Sequence, residues 1–272
     1  MNKCAILIPN YNGAGFISAT VNQFLEGFQD FTVVVVDDGS TDNSLQLLIE
    51  TNCILLERRK NGGFAAAVNT GLKYLIENEF DYVIVANSDL IVDTLVAEKI
   101  RDSIHMFNVN LNVGILGYCE FGESQCAANE DISGFLFAVR LGIIKQIGYM
   151  DESFIMYGEE QDFFRRVITS GFEIYQTKIH VQHATEGSGG KSLRSSWLSI
   201  RNAIYLEAKQ HFWWQSLRVC CTLFLILNRL YYPKGYNRNP SYQRVVRPGI
   251  ILGNIFLLSA VIWNIKKSIQ NL

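Results

Sequence analysis

Three carboxylates that can act as acids or bases lie within four residues, in the segment Glu159-Glu160-Gln161-Asp162. The apolar residues that follow predict a helix with these acids in its first turn. Negative charge is favoured there because the helix dipole places partial positive charge at the N-terminus, so the acids can be purely structural. Alternatively, Gly158 lets the backbone approach a ligand, and one of the three carboxylates serves as a general base.

Further acidic residues stand directly after two apolar runs that are typical of buried strands. Asp37 and Asp38 follow the run Thr32–Val36, and Asp89 comes shortly after the run Tyr82–Ala86. In open α/β sheets the carboxyl ends of parallel strands share one edge, and ligands bind at that edge. We therefore expect these acids to converge at one crevice, where carboxylates suit a metal ion and a phosphorylated ligand.

Short apolar runs alternate with helix-length segments in the first third of the chain. This alternation predicts an α/β fold with a doubly wound, mostly parallel sheet flanked by helices. The predicted strands cover residues 4–8, 32–36, 54–56, 82–86, 113–116, 132–139, 172–176 and 179–182. The predicted helices cover about residues 16–28, 42–51, 64–77, 141–147 and 159–170, and a helical tail follows them.

Two residues near the strand ends are candidates for holding a nucleotide. Tyr11 can stack on a base, and a half-buried surface tyrosine is the alternative. Asp38 can accept hydrogen bonds from a base or a ribose hydroxyl, or it can cap the next helix. Gly13 and Gly15 fit part of a dinucleotide fingerprint, but Ser18 stands at its third glycine. The glycines therefore favour a loop, and a dinucleotide-binding oxidoreductase is the alternative enzyme class.

His183 ends an alternating segment typical of a strand, and a basic loop rich in Gly and Ser follows it. Lys191, Arg194 and the backbone N–H groups of this loop can close over a diphosphate. A structural histidine and a solvated linker are the alternatives.

Charge is distributed unevenly along the chain. The net charge of −2 gives no sign of nucleic-acid binding. No Asp or Glu follows Glu207, whereas residues 208–272 contain nine Lys and Arg residues, which leaves −11 for residues 1–207. We expect a catalytic domain at residues 1–207, with a nucleotide-binding half at 1–110 and an acceptor half at 111–207. A basic, apolar helical tail at residues 208–272 follows it.

The tail has two apolar runs, Ser216–Leu227 and Ile250–Trp263, with aromatic residues around them. Both are shorter than the roughly 18–20 residues that a spanning helix needs. We expect the tail to dock on an anionic membrane without crossing it, and packing against the catalytic domain or in a homodimer is the alternative. The six cysteines form no CxxC pair and no signal peptide is visible, so we expect reduced thiols, no zinc and a cytoplasmic location on the inner face of the cell membrane.

Several of these blocks resemble one family in their order and spacing. Val35–Asp42 resembles the nucleotide-binding signature of the family 2 glycosyltransferases, which have the GT-A fold, and Ile8–Asn12 is similar to that family's opening. Asn87-Ser88-Asp89 stands where the family has its D-x-D-type metal motif. The other similar blocks are Asn61–Phe64, Asn69–Gly71, Ser133-Gly134, Tyr157–Asp162, His183 and Arg201-Asn202, so the resemblance covers about residues 3–210. The second half looks most like the rhamnosyltransferase-like branch, which builds bacterial surface polysaccharides.

The resemblance implies an inverting transfer of a sugar from a nucleotide-diphosphate sugar, either a UDP-sugar or one like dTDP-rhamnose. The acceptor would be a hydroxyl of a glycan or of a lipid-linked molecule. The family has Glu-Asp where this chain has Glu159-Glu160, so Glu160 is the implied base, with Glu159 and Asp162 as alternatives. A protein that binds sugar nucleotides without catalysis is the remaining alternative.

The resemblance also implies a Mg²⁺ or Mn²⁺ ion bound by Asp89 and His183. Asn87 replaces the first acid of the metal motif, which is a departure from the family's pattern. The residues implied to bind the nucleotide are Pro9, Tyr11, Asp38, Asn61, Gly63, Asn69, Lys191 and Arg194. Those implied to contact the sugar or the acceptor are Ser133 and Gly134.

Overall fold

The computed structural model describes residues 2–120, 132, 134–183, 192–209, 213–228, 245 and 248–270. Its strands are β1 Cys4–Asn10, β2 Thr32–Asp37, β3 Ile54–Glu57, β4 Tyr82–Ala86, β5 Leu90–Ile91, β6 Val113–Glu120, β7 Leu136–Arg140 and β8 Glu173–His183. They form one sheet in the order β3-β2-β1-β4-β7-β6-β8-β5. The first four strands of this order are parallel, β7 is antiparallel to both its neighbours, β8 is parallel to β6, and β5 is antiparallel to β8. The predicted fold class is confirmed.

The helices are α1 Ile17–Gly27, α2 Ser44–Ile49, α3 Phe64–Glu77, α4 Thr94–Ser103, α5 Met106–Val109, α6 Ile144–Ile147, α7 Glu159–Thr169, α8 Leu193–Lys209, α9 Trp213–Leu227 and α10 Gly249–Gln270. Short 3₁₀ turns occupy Leu141–Ile143 and Glu152–Phe154.

Both faces of the sheet are covered, which explains why its central strands are apolar without interruption. Val34 and Val36 of β2 belong to a core shared with α3, whereas Val33 and Val35 belong to a core shared with α1 and α4. Successive side chains of a strand point to opposite faces, so each strand contributes to both cores. This packing fixes the strand ends on which the candidate site lies.

Several elements differ from the prediction. The strand predicted from residue 132 begins at Leu136. The strands predicted at 172–176 and 179–182 are one strand, β8. Its pairing with β6 shifts register between Gly117 and Cys119 and then continues. Strand β5 and helix α4 are absent from the predicted elements, although the side chain of Asp93 caps α4 by accepting a hydrogen bond from Val96 N–H at 2.8 Å.

The chain divides into two compact units. The first consists of Met1–Ile155 and Glu159–Gly187, and the second of Met156–Gly158 and Ser188–Leu272. The expected boundary between residues 207 and 208 instead falls inside α8. That helix packs with α9 and α10 in a shared core, so it belongs with the tail. The core consists of Ile200, Ile204, Leu223, Ile226, Leu227, Val245, Leu257 and Ala260.

Two expectations about the tail and the cysteines need correction. In the described part of the chain, the segment Gly249–Ser268 is long and apolar enough to cross a membrane, by length and composition. Lys266 and Lys267 lie inside α10 and do not end it, so the prediction that this run is too short is wrong. Cys119 is disulfide-bonded, which differs from the expected reduced thiols. The described cysteines 4, 53, 220 and 221 are free.

Candidate active site at the strand ends

The buried carboxylate of Asp37 organises the turn that follows β2. Its oxygens accept hydrogen bonds from the Asn10 side-chain amide at 2.9 Å, the Ser40 N–H at 2.8 Å and the Ser40 hydroxyl at 2.6 Å. Asn10 ends β1 and Asp37 ends β2, so this contact joins two neighbouring strand ends. Asp37 is therefore a structural residue of the crevice.

The loops after β1 and β2 are also joined further from the sheet. The Ser40 hydroxyl accepts a hydrogen bond from Asn12 N–H at 2.9 Å, and the Asn12 side-chain oxygen accepts one from Thr41 N–H at 2.8 Å. Tyr11 lies in this joined region and is 43% exposed, so its ring is accessible to a base. Pro9 is buried within β1.

Asp38 makes its contacts with the protein. It is 3% exposed and accepts hydrogen bonds from Arg58 Nε at 2.6 Å and from the N–H groups of Gly62 and Gly63 at 2.9 and 2.7 Å. Arg58 also donates to the Thr70 hydroxyl at 2.6 Å. A carboxylate has about four acceptor positions, and these donors use most of them. Asp38 therefore anchors the segment that leads into α3, which differs from the predicted direct contact with a base or ribose.

The turn that leads into α3 is shaped by tight backbone packing. Gly63 has a φ of +92°, which favours glycine, and an added β-carbon there would overlap the carbonyl oxygen of Ile155. The same carbonyl accepts a hydrogen bond from Phe64 N–H at 3.0 Å. Gly63 thus serves backbone packing, whereas Asn61 is exposed at the start of the turn and accessible to a ligand.

Asn69, which was predicted to bind the nucleotide, is a structural residue. It is 3% exposed, its side-chain nitrogen donates to the Met150 carbonyl at 2.9 Å and to Glu152 at 3.0 Å, and its side-chain oxygen accepts from Met150 N–H at 3.0 Å. These bonds hold the loop after α6 against α3. Both hydrogens of the side-chain amide are therefore used within the protein.

Asp89, Glu120 and His183 come together near the ends of β4, β6 and β8. His183 ends β8 and pairs with Leu90 of β5, next to Asp89. Its ring Nδ1 lies 2.8 Å from a carboxylate oxygen of Glu120, which ends β6. The side-chain nitrogen of Asn87 lies 3.5 Å from the ring Nε2. The structure therefore brings the two predicted metal-binding residues together and adds Glu120, which was not among the predicted residues.

The negative charges of Asp89 and Glu120 favour the protonated form of the His183 ring. Burial of the ring opposes its charged form, but the hydrogen bond with Glu120 and the charge of Asp89 outweigh burial and raise the pKa of His183. The same hydrogen bond lowers the pKa of Glu120, although partial burial acts against it. Carboxylates that stabilise a proton on the ring also stabilise a metal ion there.

The side chains of Asp89 and His183 fit a Mg²⁺ or Mn²⁺ ion whose other coordination positions are filled by water and by the phosphates of a bound nucleotide. When Nδ1–H donates to Glu120, Nε2 keeps a free lone pair, and a carboxylate partner of this kind is typical of metal-bound histidines. Asp89 supplies an oxygen donor. Among the residues that the structure describes, no three His, Cys, Asp or Glu side chains form a metal-binding group. Water and phosphate oxygens would therefore fill the remaining positions, as they commonly do for Mg²⁺.

Glu160 lies against Gly134, which belongs to the predicted sugar or acceptor site. An added β-carbon on Gly134 would lie 2.7 Å from Cγ and 3.3 Å from Cδ of Glu160. The next residue, Phe135, has its ring centre 5.1 Å from that of His183, and its carbonyl accepts a hydrogen bond from Asn87 N–H at 2.8 Å. The segment Gly134–Phe135 therefore contacts both Glu160 and the group around His183.

Glu159 is buried, and its carboxyl group is less accessible to a substrate than that of Glu160. It is 4% exposed, and its Oε2 has no hydrogen-bond partner among the described residues. Burial, followed by the negative charge of Glu160, raises the pKa of Glu159 well above its ordinary value. The raised pKa favours the neutral form of Glu159 beside the charge of Glu160.

Asp162 fixes α7 to the loop before it. It is 2% exposed and accepts a hydrogen bond from Arg166 Nε at 2.9 Å. Arg166 also donates to the carbonyls of Tyr149, at 2.9 Å, and Ile147. Of the three acids, Glu160 alone is half-buried and therefore accessible to a substrate.

The remaining predicted residues are not part of this constellation. Ser133 and Lys191 lie outside the residues that the structure describes. Arg194 is exposed in α8 of the second unit. An added β-carbon on Gly13 would overlap the side chain of Asn10, so Gly13 serves loop packing, as the interpretation of these glycines as a loop expects.

Residues 5–138 match the sequence profile described as Glycosyl transferase family 2. Two proteins of Streptococcus pneumoniae, glycosyltransferases GlyA and GlyG, are 29% identical over 129 residues and 26% identical over 149 residues. The alignments cover 46% and 53% of this chain but 18% and 48% of GlyA and GlyG. This chain therefore spans less than half of the length of either relative.

A solved structure with a similar fold is the mannosyltransferase PcManGT from Pyrobaculum calidifontis, in complex with GDP-Man and Mn²⁺. The TM-score is 0.64 at 15% sequence identity, and the superposition covers 97% of this chain and 87% of that chain. At this identity the likeness shows the fold alone, and it agrees with the GT-A fold that the sequence predicts.

Proposed function

We propose, on the premise that residues 5–138 belong to glycosyl transferase family 2, that this chain transfers a sugar from a nucleotide-diphosphate sugar to a hydroxyl group, with inversion at the anomeric carbon. The observation that carries the proposal is the short segment Gly134–Phe135. It contacts the accessible carboxylate Glu160 and also the group of Asp89, Glu120 and His183. A base and a diphosphate-binding group are thus held by the same piece of backbone.

Glu160 is the proposed general base. As the acceptor oxygen forms its bond to the anomeric carbon, the bond from that carbon to the diphosphate breaks, and the hydroxyl proton passes to the Glu160 carboxylate. General base catalysis of this kind contributes about 10²–10⁴-fold to a rate. The raised pKa of the buried Glu159 beside it favours the neutral form, which limits the negative charge at the site.

Asp89 and His183 are the proposed ligands of a Mg²⁺ or Mn²⁺ ion. When bound, such an ion neutralises the negative charge that develops on the departing diphosphate. Glu120 holds the His183 ring through Nδ1 and leaves Nε2 directed away from that contact. The Mn²⁺ in the complex of PcManGT supports including this ion in the proposal.

The nucleotide is proposed to bind where the loops after β1 and β2 are joined. Tyr11 offers an exposed ring for stacking, and Asn61 offers an exposed amide at the start of α3. Asp38 acts indirectly by fixing the Gly62–Gly63 backbone. Lys191, and Arg194 near the start of α8, are proposed to bind the diphosphate, as the resemblance implies.

The donor is proposed to be a UDP-sugar or a sugar nucleotide like dTDP-rhamnose. The acceptor is proposed to be a glycan or lipid-linked hydroxyl in surface polysaccharide synthesis, as in the rhamnosyltransferase-like branch that the second half of the sequence resembles. PcManGT was solved with GDP-Man, so GDP-sugars belong in the same test.

The test is a screen of UDP-, dTDP- and GDP-sugars against the purified full chain, with Mn²⁺ or with a chelator. Thermal stabilisation reports binding, and release of the nucleoside diphosphate reports turnover. We expect the nucleotides of one nucleobase to stabilise the protein in the presence of Mn²⁺. The nucleotide sugar with that nucleobase should be consumed. Stabilisation by NAD alone would favour an oxidoreductase, and binding without consumption with any acceptor would favour a non-catalytic binder.

A further inference from the structure

Helices α9 and α10 of the second unit carry apolar side chains on their exposed surface. Along α10, five Ile and Leu residues are between 46% and 80% exposed, and three apolar residues of α9 are between 39% and 54% exposed. We call this set the outer apolar face. It consists of Leu217, Phe224, Leu225, Ile251, Ile255, Leu258, Ile262 and Ile265.

Three asparagines of the second unit form hydrogen bonds inside it. Asn264 is 5% exposed and donates to the carbonyl of Arg201 in α8 at 3.1 Å. Asn228, directly after α9, and Asn254 of α10 each donate to the other's side-chain oxygen at 3.2 Å. The inner side of these helices also holds the apolar core described above, whereas the outer face of a helix in water is usually polar. Polar residues that bond between helices, with apolar residues outside, are typical of helices surrounded by lipid.

The length and flanking charge of α10 also fit a bilayer. Residues Gly249–Ser268 form a stretch of 20 residues, and 18 consecutive residues of it have mean hydropathy 1.6 and are 22% buried. At 1.5 Å per residue this stretch is about 30 Å long, which is the thickness of the hydrocarbon core. Lys266 and Lys267 lie near its end, and no acidic residue follows Glu207. The flanks therefore complement anionic headgroups.

From this arrangement we propose that the outer apolar face is buried in the hydrocarbon of a bilayer containing anionic phospholipid. The competing occupant is a second copy of the chain, because the exposed residues of α10 recur at intervals of four and three residues, as in a coiled-coil seam. Such a seam covers one stripe of a helix, whereas here α9 of the same unit also carries exposed apolar residues. The basic flanks place the helices at the cytoplasmic leaflet, on the inner face of the cell membrane. This inference rests on the second unit and goes beyond the proposed glycosyl transfer.

The test compares the full chain with two triple variants, each made by cell-free translation in the presence of phosphatidylglycerol-containing vesicles. The first variant, Ile255→Gln with Leu258→Gln and Ile262→Gln, changes the outer apolar face. The matched control, Ile49→Gln with Val109→Gln and Leu111→Gln, changes three residues of the first unit that are 64% to 73% exposed. Flotation of the vesicles separates bound protein from free protein.

We expect the unchanged chain and the matched control to float and the first variant to float at least about tenfold less, since three buried apolar side chains are lost. Binding should survive a wash in about 1 M NaCl, where the Debye length is only about 3 Å. Release by that wash would show that basic residues alone hold the protein, which overturns apolar burial. An unchanged chain that stays free of vesicles as a dimer, and becomes monomeric in the first variant, would identify a second copy as the occupant.

A folding control keeps the first variant informative. Far-ultraviolet circular dichroism and thermal unfolding of the variant should match those of the unchanged chain in detergent, because the substituted side chains face outward. If the variant is unfolded, Leu217→Gln with Phe224→Gln in α9 provides a second measurement, and undiminished flotation of that folded double variant would overturn the proposal.

Discussion

Gly134 lies directly against the side chain of Glu160. An added β-carbon on Gly134 would approach Cγ of Glu160 to 2.7 Å and its Cβ to 3.0 Å. Contacts this short are not tolerated in packed proteins, so any side chain at position 134 must displace Glu160 or move the backbone. A residue with no chemistry of its own thereby fixes where the proposed base lies.

Gly134→Ala is expected to lower kcat by about 10–100-fold, because a displacement of the order of 1 Å in a reacting group has an effect of this size. The affinity for the nucleoside diphosphate should change little, since Gly134 has no part in the proposed nucleotide site. Steady-state kinetics and isothermal titration calorimetry measure the two effects.

The matched control for that variant is Gly142→Ala. An added β-carbon on Gly142 meets no atom within 4 Å, so the same chemical change should leave kcat unaltered. A Gly134→Ala enzyme with normal kcat would show that the position of Glu160 does not matter for turnover.

Glu160→Gln and Glu159→Gln form a matched pair of substitutions on adjacent residues. Glu160→Gln removes the proposed base and is expected to lower kcat by about 10²–10⁴-fold while nucleotide affinity stays within a few-fold. The pKa of the buried Glu159 is raised, which favours its neutral form, and glutamine is nearly the same size, so Glu159→Gln should retain most of the turnover. The reverse pattern in stopped-assay rates would reassign the base to Glu159.

The raised pKa of Glu159 predicts how stability depends on pH. The folded state holds a proton on Glu159 at pH values above the ordinary 4.5 of the side chain, whereas the unfolded state releases it. The folded state therefore binds more protons in this range, and the free energy of unfolding falls as pH rises from about 5 towards the raised pKa. The contribution of Glu159 is fully present below pH 4.5.

Glu159→Gln removes this dependence because glutamine does not titrate. We expect the melting temperature of the variant relative to the unchanged chain to increase steadily between about pH 5 and pH 8. Thermal unfolding at several pH values measures this difference. Parallel curves for the two proteins would mean that Glu159 has an ordinary pKa in the folded state.

The parallel half of the fold could be predicted from the sequence because its strands are buried on both faces. The run Thr32–Val36 is apolar throughout, and the turn residues after it fix the strand end at Asp37. The later elements have weaker signals. Strand β8 alternates polar and apolar residues and contains an irregularity, so it is predicted as two pieces.

The candidate site was predictable in its positions but not in its hydrogen bonds. Asp89 and His183 were expected near each other because the resemblance implies that both bind the metal ion, and the structure brings them together. The partners of Asp38 and Asn69 lie 20 to 83 residues away in sequence, so their structural roles emerge only from tertiary contacts. Glu120 was missed because a single acid at the end of an apolar strand resembles an ordinary turn residue.

Glu120→Gln is expected to weaken Mn²⁺ affinity by about 10–100-fold, because a carboxylate that holds a metal-bound histidine contributes this much. Titration calorimetry with Mn²⁺ in the presence of the nucleoside diphosphate measures the change. Glu173→Gln, in an exposed residue at the opposite end of β8, is the matched control. If the unchanged chain binds the nucleotide equally well with Mn²⁺ and with a chelator, the metal ion has no role in nucleotide binding.

The last prediction separates the anchoring role of Asp38 from a direct contact with the nucleotide. Arg58→Met breaks the 2.6 Å ion pair but leaves the Asp38 carboxylate in place, whereas Asp38→Asn removes the charge itself. Removing one member of a buried ion pair lowers the free energy of unfolding by about 3–5 kcal/mol. Because Arg58 is partly exposed, we expect each substitution to lower it by about 2–3 kcal/mol. Denaturant unfolding measures that loss.

If Asp38 is an anchor, nucleotide affinity should fall by a similar factor in both variants, because each loosens the Gly62–Gly63 backbone. Arg59→Met changes the exposed neighbour of Arg58 and should affect neither stability nor affinity. A nucleotide affinity that is normal in Arg58→Met but lost in a folded Asp38→Asn protein would show that the carboxylate itself contacts the nucleotide, as the sequence first predicts.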